Sequence, residues 1–337
     1  MAHIKLIDSI VSVQWLAENR FAENLILFDA SMKPIVPVPN ALPETPVYIP
    51  GSLRFDFDDV LCDHNTSLPH MMPNPEFFAD EMQKMGVNQD SAIVVYDKVG
   101  VYSSPRAWWM FRALGHDQVA VLDGGLPAWI QARFEISSTL VQTPTQRGNF
   151  ASNPRGGLFV DSKTVLHALT DSTVSVIDAR SAGRFKGQDP EPRAGLRGGH
   201  MPNAVNIPYT DVLENGLMSP KSKLRSVFEK HKDKKMIFSC GSGVTACVVA
   251  LAAEQAGYKD LAVYDGSWSE WGLPDSGLPV VERSHVFFTR MLAGGDFISK
   301  VKDLSWYTVI TTGITKPACS FVLALNSLQK PMMFTPC

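Results

Sequence analysis

The sequence MIFSCGSGVTACVVALAA, residues 236–253, has the pattern of a buried strand, a tight turn and a buried helix. Residues 236–238 form a short apolar run, and the small and β-branched residues after Val244 suit a helix that is covered on all sides. Cys240 lies between these two segments and is followed by Gly241 and Gly243. We therefore expect a strand that turns sharply into a helix at Cys240.

Such a turn gives Cys240 the surroundings of a reactive thiol. A glycine-containing turn at a helix N-terminus directs successive backbone N–H groups toward one point and favours an anion there. A thiol at that point is expected to have a pKa below that of a free cysteine. The alternative is a small, buried and unreactive cysteine. The glycines and Ser242 favour Cys240 as a nucleophile.

The two halves of the chain repeat one pattern of strands and helices. Apolar strand segments at residues 24–30 and 91–97 recur at residues 173–180 and 236–240, and a helix is predicted at residues 104–114. One triplet keeps its spacing in both halves: Gly115, Gly124 and Trp129, then Gly257, Gly266 and Trp271. A repeat of this length, with strands alternating with helices, predicts a duplicated α/β unit with a mainly parallel sheet in each copy.

The repeat places Asp97 of the first half opposite Cys240 of the second. A carboxylate is not a substitute for a thiolate nucleophile, and the loop after Asp97 lacks the Gly-x-Gly pattern. The first half is therefore expected to be catalytically silent.

The length, composition and net charge of the chain limit the class of protein to which it can belong. The 337 residues are 45% hydrophobic and 19% charged with a net charge of −3, which indicates an ordinary globular protein without a nucleic-acid footprint. No apolar run reaches the length of a membrane span, and the N-terminus does not resemble a signal peptide. The five cysteines lack metal-site or disulfide spacing, so we expect no metal, no cofactor and a cytoplasmic location.

Residues 240–245 (CGSGVT) resemble the active-site loop of the 3-mercaptopyruvate sulfurtransferases, two-domain enzymes of the rhodanese superfamily. Further segments similar to that family recur in order over roughly residues 6–282. The resemblance implies two tandem rhodanese-like domains, at residues 1–141 and 158–283, joined by a linker at 142–157. Residues 284–337 depart from the family pattern, and we expect this tail to pack poorly.

The resemblance also implies roles for individual residues. Cys240 is the nucleophile, the loop residues Gly241, Gly243, Val244 and Thr245 surround the substrate, and Ser242, His70 and an aspartate form a proton relay. Asp58 is the first choice for that acid, with Asp56 and Asp59 left open, and His64 is the neighbouring histidine that could be mistaken for His70.

Arginines are the expected contacts for an acidic substrate. The resemblance implies that Arg184 and Arg193 clamp the carboxylate and carbonyl of the substrate, which agrees with the match between guanidinium groups and carboxylates. Arg106 is a further candidate that faces the interdomain cleft in the family. Arg180, directly after a strand, is expected to pair with an acid of its own domain.

The function implied by the resemblance is sulfur transfer from 3-mercaptopyruvate through a Cys240 persulfide, with thioredoxin, a small thiol or cyanide as acceptor. The alternatives are a thiosulfate sulfurtransferase and a non-enzymatic sulfur carrier. The thiosulfate-using relatives typically carry Arg and Lys at the positions of Gly241 and Ser242. A cysteine-dependent phosphatase would need an arginine where the chain has Ala246. Cys247 is interpreted as a core residue and Cys62 as a loop residue.

Overall fold

The computed structural model describes residues 3–35, 37–38, 45–282, 307–309 and 321–323. Its first 283 residues form one compact unit that contains two five-stranded parallel sheets. The first half has the elements β1 (Ile10–Val11), α1 (Val13–Asn19), β2 (Leu25–Asp29), β3 (Leu53–Arg54), α2 (Pro75–Lys84), β4 (Ala92–Tyr96), α3 (Ser104–Ala113), β5 (Val119–Leu122) and α4 (Gly125–Gln131).

The second half repeats this arrangement after a linker without helix or strand. Its elements are β6 (Phe159–Val160), α5 (Ser162–Ala168), β7 (Val174–Asp178), α6 (Ala182–Phe185), β8 (Val205–Asn206), β9 (Leu213–Glu214), β10 (Leu217–Met218), α7 (Lys221–Phe228), β11 (Lys235–Ser239), α8 (Thr245–Gln255), β12 (Leu261–Tyr264) and α9 (Ser267–Trp271). Short 3₁₀ turns lie at Tyr209–Val212, Glu229–His231 and Pro274–Ser276.

The two large sheets have the same strand order. The first is β1-β5-β4-β2-β3, and the second is β6-β12-β11-β7-β8, with every neighbouring pair parallel. All five residues of β4 are buried, as expected for a central parallel strand with helices on both faces. The predicted α/β fold and its repeat are thus confirmed, and the strands before Asp97 and Cys240 are both the middle strands of their sheets.

The hydrophobic core joins the two halves. One continuous cluster of buried residues includes Phe28 and Phe111 of the first half together with Phe238 and Val249 of the second. Helices α3 and α8 pack against each other inside this cluster. Two smaller clusters lie on the outer sides, one around Trp129 and one that contains Trp268 and Trp271. The halves therefore bury apolar surface against each other as well as within themselves.

The linker at residues 142–157 follows the surface of the first half. The N–H of Gly148 donates to Gln83 O at 2.8 Å, that of Phe150 to Val87 O at 3.0 Å, and that of Asn153 to Leu114 O at 2.8 Å. The Phe150 side chain is fully buried in the core. The proposed domain boundaries stay predictions, but this segment is bound along much of its length.

Beyond residue 282 the structure describes two short strands, β13 (Tyr307–Val309) and β14 (Phe321–Leu323), which pair antiparallel. The expectation of a poorly packed tail falls on residues outside the described part. In the described ranges no helix combines the length and the hydropathy needed to cross a membrane.

Candidate active site

Cys240 directly follows the middle strand β11 and precedes helix α8. It is 2% exposed, and residues of α9 hold its backbone from behind. The Cys240 N–H donates to Ser267 Oγ at 3.2 Å, and the Cys240 carbonyl accepts from the Trp268 N–H at 3.0 Å. The Gly241 carbonyl accepts from both the N–H and the hydroxyl of Ser269, at 2.8 and 2.7 Å. These contacts fix the direction in which the Cys240 side chain leaves the sheet.

Cys240 lines a pocket of about 240 Å³. The remaining lining residues come from both halves of the chain: Met32, Ile35, Pro37, Tyr102, Ala179, Arg180, Ser181, Arg184, Pro192, Arg193, Tyr209, Thr210, Gly241, Ser242, Val244 and Thr245. The rings of Tyr102 and Tyr209 meet edge to face with centroids 5.8 Å apart. The pocket is thus lined by aromatic as well as cationic side chains.

A hydrogen-bonded chain leads away from this pocket through Ser242. Ser242 Oγ lies 3.0 Å from His70 Nδ1, and His70 Nε2 lies 2.7 Å from Asp58 Oδ1. Of the three aspartates left open by the sequence, Asp58 is the one in contact with His70. Asp56 instead accepts from the N–H groups of Asp58 and Asp59 and thereby shapes the turn.

The His70 imidazole is held in its neutral form by its surroundings. Burial lowers its pKa below the ordinary 6.5, Asp58 opposes this shift, and the positive charges of Arg106 and Arg193 add to it. A carboxylate can only accept, so the neutral ring donates through Nε2 to Asp58 and accepts the Ser242 hydroxyl proton at Nδ1. His70 can therefore take up a proton from Ser242.

The two candidate clamp arginines differ in their partners. Arg184 Nη2 donates to Glu191 Oε2 at 2.6 Å and its Nε to Oε1 at 3.2 Å. Arg193 Nη2 donates weakly to Ser242 Oγ at 3.4 Å, and no carboxylate in the described part of the chain forms an ion pair with it. Burial lowers the pKa of Arg193, and the neighbouring Arg184 acts in the same direction.

Arg180 belongs to a buried charge network behind the pocket. Its guanidinium makes a two-point contact with Asp178 and donates to Glu191 at 2.8 Å, as expected for an arginine paired within its own domain. Two carboxylates, Asp178 and Glu191, thus face two guanidinium groups, those of Arg180 and Arg184. Their formal charges cancel, so Arg193 supplies the remaining positive charge of the pocket.

Arg106 is engaged by protein groups beside the pocket. Its side chain is fully buried and is not among the residues that line the pocket. Its Nη2 donates to Asp265 Oδ1 at 2.7 Å and to the His70 carbonyl, and its Nη1 donates to the Gly243 carbonyl at 3.3 Å. A direct contact between Arg106 and the substrate stays a prediction.

The two glycines of the Cys240 loop, Gly241 and Gly243, are needed for different physical reasons. Gly243 has φ +74°, a left-handed conformation that side chains rarely adopt. A Cβ on Gly241 would lie 3.1 Å from Arg184 Nη2 and 3.8 Å from Arg193 Nη1. A side chain at residue 241 would therefore press on Arg184. Val244 and Thr245 line the pocket, and Thr245 begins α8.

The loop after Asp97 surrounds a buried carboxylate with backbone N–H donors. The Asp97 carboxylate is fully buried and accepts from five backbone N–H groups at 2.9–3.0 Å: those of Val99, Gly100, Tyr102, Ser103 and Ser104. The Ser104 hydroxyl donates to it as well. The turn after β4 is therefore an anion site, and the Asp97 side chain occupies it.

The two other cysteines in the described part of the chain lie in less reactive surroundings. Burial raises the pKa of the Cys247 thiol, whose Sγ donates to Gly243 O at 3.2 Å. Burial also raises the pKa of the Cys62 thiol, and the carboxylates of Asp56 and Asp58 add to this effect. His64 contacts the Val60 carbonyl at 3.2 Å and takes no part in the chain of contacts from Ser242.

Sequence reasoning missed the residues that hold the site residues in place. Glu191 orients Arg184, Asp265 pairs with Arg106, and residues 267–269 fix the Cys240 backbone. Glu191 could have been selected from the sequence, because it lies between Arg184 and Arg193, which were already candidates. Asp265 directly follows the strand β12, at the sheet edge where site residues of parallel sheets collect.

Comparisons with known proteins agree with this arrangement. The Rhodanese-like domain family matches residues 12–132 and 162–273. The 3-mercaptopyruvate sulfurtransferase of Escherichia coli (strain K12) is 41% identical over 267 residues, which cover 78% of this chain and 94% of that protein. The enzyme of the same name from Mus musculus is 40% identical over 282 residues, or 80% and 94% of the two chains.

A solved structure has the same architecture. The crystal structure of SseA from Escherichia coli, described as a 3-mercaptopyruvate sulfotransferase with the rhodanese fold, superposes with a TM-score of 0.67 at 37% identity. The match covers 78% of this chain and all of SseA. On the repeated fold, the family match and the identity across both halves, the chain belongs to the 3-mercaptopyruvate sulfurtransferases, enzymes built from two rhodanese-like domains.

Proposed function

We propose that this chain transfers sulfur from 3-mercaptopyruvate to an acceptor through a persulfide on Cys240. The observation that carries the proposal is the convergence on one pocket of a thiol, a proton relay and a cation. Cys240, Ser242 and Arg193 line the pocket, and Ser242 is hydrogen-bonded to His70, which contacts Asp58. The enzymes that the chain resembles are named for this substrate.

Binding of the substrate is assigned to the arginines and the loop backbone. The carboxylate of 3-mercaptopyruvate binds Arg193, whose charge is not offset by a protein carboxylate in the described chain. Arg184 offers Nη1, because its Nε and Nη2 are engaged by Glu191. Gly241, Gly243, Val244 and Thr245 shape the loop around the sulfur.

The reaction is balanced without cofactor, metal or redox partner. The Cys240 thiolate attacks the substrate sulfur, the carbon–sulfur bond breaks, and its electron pair passes to the methylene carbon as the enolate of pyruvate. The substrate thiol proton ends on that carbon, which gives pyruvate and the persulfide anion. Neutral His70 accepts this proton through Ser242 and returns it by the same path, while Asp58 stabilises the protonated ring.

The second half-reaction delivers the sulfur. A nucleophile such as thioredoxin, a small thiol or cyanide attacks the outer persulfide sulfur and regenerates the Cys240 thiolate. The first domain (1–141) supplies His70 and Asp58 for the relay but has no nucleophile of its own. The second domain (158–283) supplies the nucleophile Cys240. A cytoplasmic location stays a prediction, as do the linker at 142–157 and the tail at 284–337.

Thiosulfate sulfur transfer and non-enzymatic sulfur carriage are the competing functions. A thiosulfate dianion would favour several cations in the loop, whereas Gly241 and Ser242 are uncharged and Arg184 is already paired with Glu191. A carrier would not need the contact between Ser242 and His70.

The test is the intact mass of the protein after exposure to 3-mercaptopyruvate without acceptor. The wild type should gain one sulfur atom and release one equivalent of pyruvate, and Cys240→Ser should do neither. Cys62→Ser is the control and should behave as the wild type. Sulfur gain by folded Cys240→Ser would overturn the proposal, and faster turnover with thiosulfate than with 3-mercaptopyruvate would favour the alternative donor.

A further inference from the structure

A buried ion pair crosses from the first half of the chain to the second beside the relay. Arg106, the third residue of α3, is fully buried, and its Nη2 lies 2.7 Å from Asp265 Oδ1, directly after β12. The Asp265 carboxylate is nearly as inaccessible, with its side chain 10% exposed. Neither residue lines the pocket, so a direct role in binding the substrate does not explain the pair.

Both members of the pair also hold the backbone around His70. Arg106 Nη2 donates to the His70 carbonyl, and Asp265 Oδ2 accepts the N–H of Met72 at 2.8 Å. His70 itself has φ +62°, a left-handed conformation that costs energy for a residue with a side chain. These two polar contacts, one at the carbonyl of this strained residue and one at the N–H two residues later, help to fix the direction in which its ring points.

The pair reaches the catalytic loop as well. Arg106 Nη1 donates to the Gly243 carbonyl at 3.3 Å, one residue from Ser242. One guanidinium group therefore touches the segment that carries His70 and the loop that carries Ser242. The 3.0 Å contact between His70 Nδ1 and Ser242 Oγ joins the same two segments.

We propose that Arg106 and Asp265 are positioning residues that set the contact between His70 and Ser242. This inference rests on the proposed relay. A buried ion pair contributes little net stability compared with well-packed apolar groups, so stability alone is a weak reason for one here. Fixing two segments at hydrogen-bond distance is the function that the four contacts of this pair support.

The experiment combines Arg106→Met and Asp265→Asn with His70→Ala and measures turnover with 3-mercaptopyruvate and with thiosulfate. Asp265→Asn keeps an acceptor for the Met72 N–H and serves if Arg106→Met does not fold. A displacement of catalytic groups by about 1 Å costs on the order of 100-fold in rate, so we expect a loss of that size in kcat for 3-mercaptopyruvate. KM should change little, because Arg193 and Arg184 are untouched.

Two features of the result separate positioning from general damage. The loss should be much smaller with thiosulfate, and it should disappear when Arg106→Met is added to His70→Ala, since residues that act as one unit are not additive. Arg197→Met is the matched control: Arg197 is a half-buried arginine that donates to Trp271 O at 2.8 Å and Leu278 O at 3.1 Å, away from the relay. It should leave the donor ratio unchanged.

Equal losses with both donors, or a full further loss in the His70→Ala background, would overturn the positioning role. If His70→Ala itself is not selective between donors, the relay is wrong. The positioning role is then decided by the ¹⁵N signals of the His70 ring. These signals should shift in Arg106→Met and stay in place in Arg197→Met, and an unshifted ring would reject the inference.

Discussion

The charges around Cys240 differ in how much of each is available to a ligand. Glu191 accepts from Arg184 at 2.6 Å and from Arg180 at 2.8 Å, so part of the Arg184 charge is already offset. Within the part of the chain that the structure describes, Arg193 forms no ion pair with a carboxylate and donates weakly to Ser242 Oγ. A substrate carboxylate should therefore gain more from Arg193 than from Arg184.

The first prediction compares these two arginines. Arg193→Ala should lower kcat/KM for 3-mercaptopyruvate by about 10- to 150-fold, which corresponds to the roughly 1.5–3 kcal/mol of a hydrogen bond to a charged group. Arg184→Ala should lower it less, because it leaves Glu191 with Arg180 as partner. Steady-state kinetics on both variants checks the order, and a larger loss in Arg184→Ala would contradict it.

The second prediction concerns the proton relay. Ser242→Ala and His70→Ala should slow 3-mercaptopyruvate turnover by about 10²–10⁴-fold, the usual contribution of general acid–base catalysis. Thiosulfate turnover should fall far less, because the release of sulfite requires no carbon protonation. His64→Ala is the matched control and should leave both donors unchanged. Equal losses with the two donors would remove the relay from the mechanism.

At the scale of structural elements, the turns that follow the two middle strands differ. After β4 the turn binds the Asp97 carboxylate through five backbone N–H groups, and α3 begins at Ser104. After β11 a shorter turn carries Cys240, and α8 begins at Thr245. The first turn is stabilised by its own side chain, whereas the second carries the proposed nucleophile.

The third prediction concerns the turn after β4. Asp97→Ala removes the acceptor of five buried N–H groups and should lower the free energy of unfolding by about 3 kcal/mol or more. Asp97→Asn keeps one acceptor oxygen and should cost less. Urea unfolding measures both losses, and 3-mercaptopyruvate turnover per folded molecule should stay close to that of the wild type. Abolished turnover in folded Asp97→Ala would show that the first half is not silent.

The elements themselves were predictable from the sequence because each has a strong local signal. The strands β2, β4, β7 and β11 are apolar runs that match the predicted segments closely, and α3 begins at the predicted Ser104. The duplicated triplet of glycines and tryptophan predicted a repeat, and the two sheets have the same strand order. Cys240 at the end of the middle strand followed from its glycine-rich turn.

The burial of individual side chains and the partners toward which they point were not predictable in the same way. The resemblance implied that Arg106 faces the cleft, whereas the burial of its side chain depends on the packing of α3 against α8, which no local sequence pattern records. The choice among Asp56, Asp58 and Asp59 depends on the turn, where Asp56 is used by the backbone. Glu191 and Asp265 owe their importance to partners distant in sequence.

At the scale of the whole molecule, the two halves share one core. The cluster between the sheets contains Phe111 of α3 and Val249 of α8. The Trp109 indole donates to Leu158 O at 3.1 Å across the same boundary. Separate unfolding of either half would expose this apolar surface to water.

The fourth prediction follows from that shared core. Residues 1–283 should unfold in one transition, with the calorimetric enthalpy equal to the van't Hoff enthalpy. Asp97→Ala, which lies in the first half, should lower that single transition as a whole. Two resolved transitions, or a shift confined to one of them, would contradict the coupling.

The fifth prediction concerns pH. Burial lowers the pKa of both His70 and His116 below 6.5, so the unfolded chain binds protons at a higher pH than the folded one. Stability is complete above pH 6.5 and declines as the pH falls from 6.5 toward the folded pKa values, by up to about 1.4 kcal/mol per pH unit for each histidine. Denaturant unfolding should give a shallower decline for His70→Ala, and an unchanged slope would contradict this assignment.

The cluster between the sheets also limits how this chain can be inherited and recombined. The two copies of the repeated unit share one hydrophobic core through the packing of α3 against α8. One copy therefore cannot be replaced without regard to the side chains of the other. A chimaera that joins the first half of this chain to the second half of a relative must keep matching volumes along those two helices. Substitutions there should be accepted in compensating pairs, whereas the outward clusters around Trp129 and Trp271 are free to diverge independently.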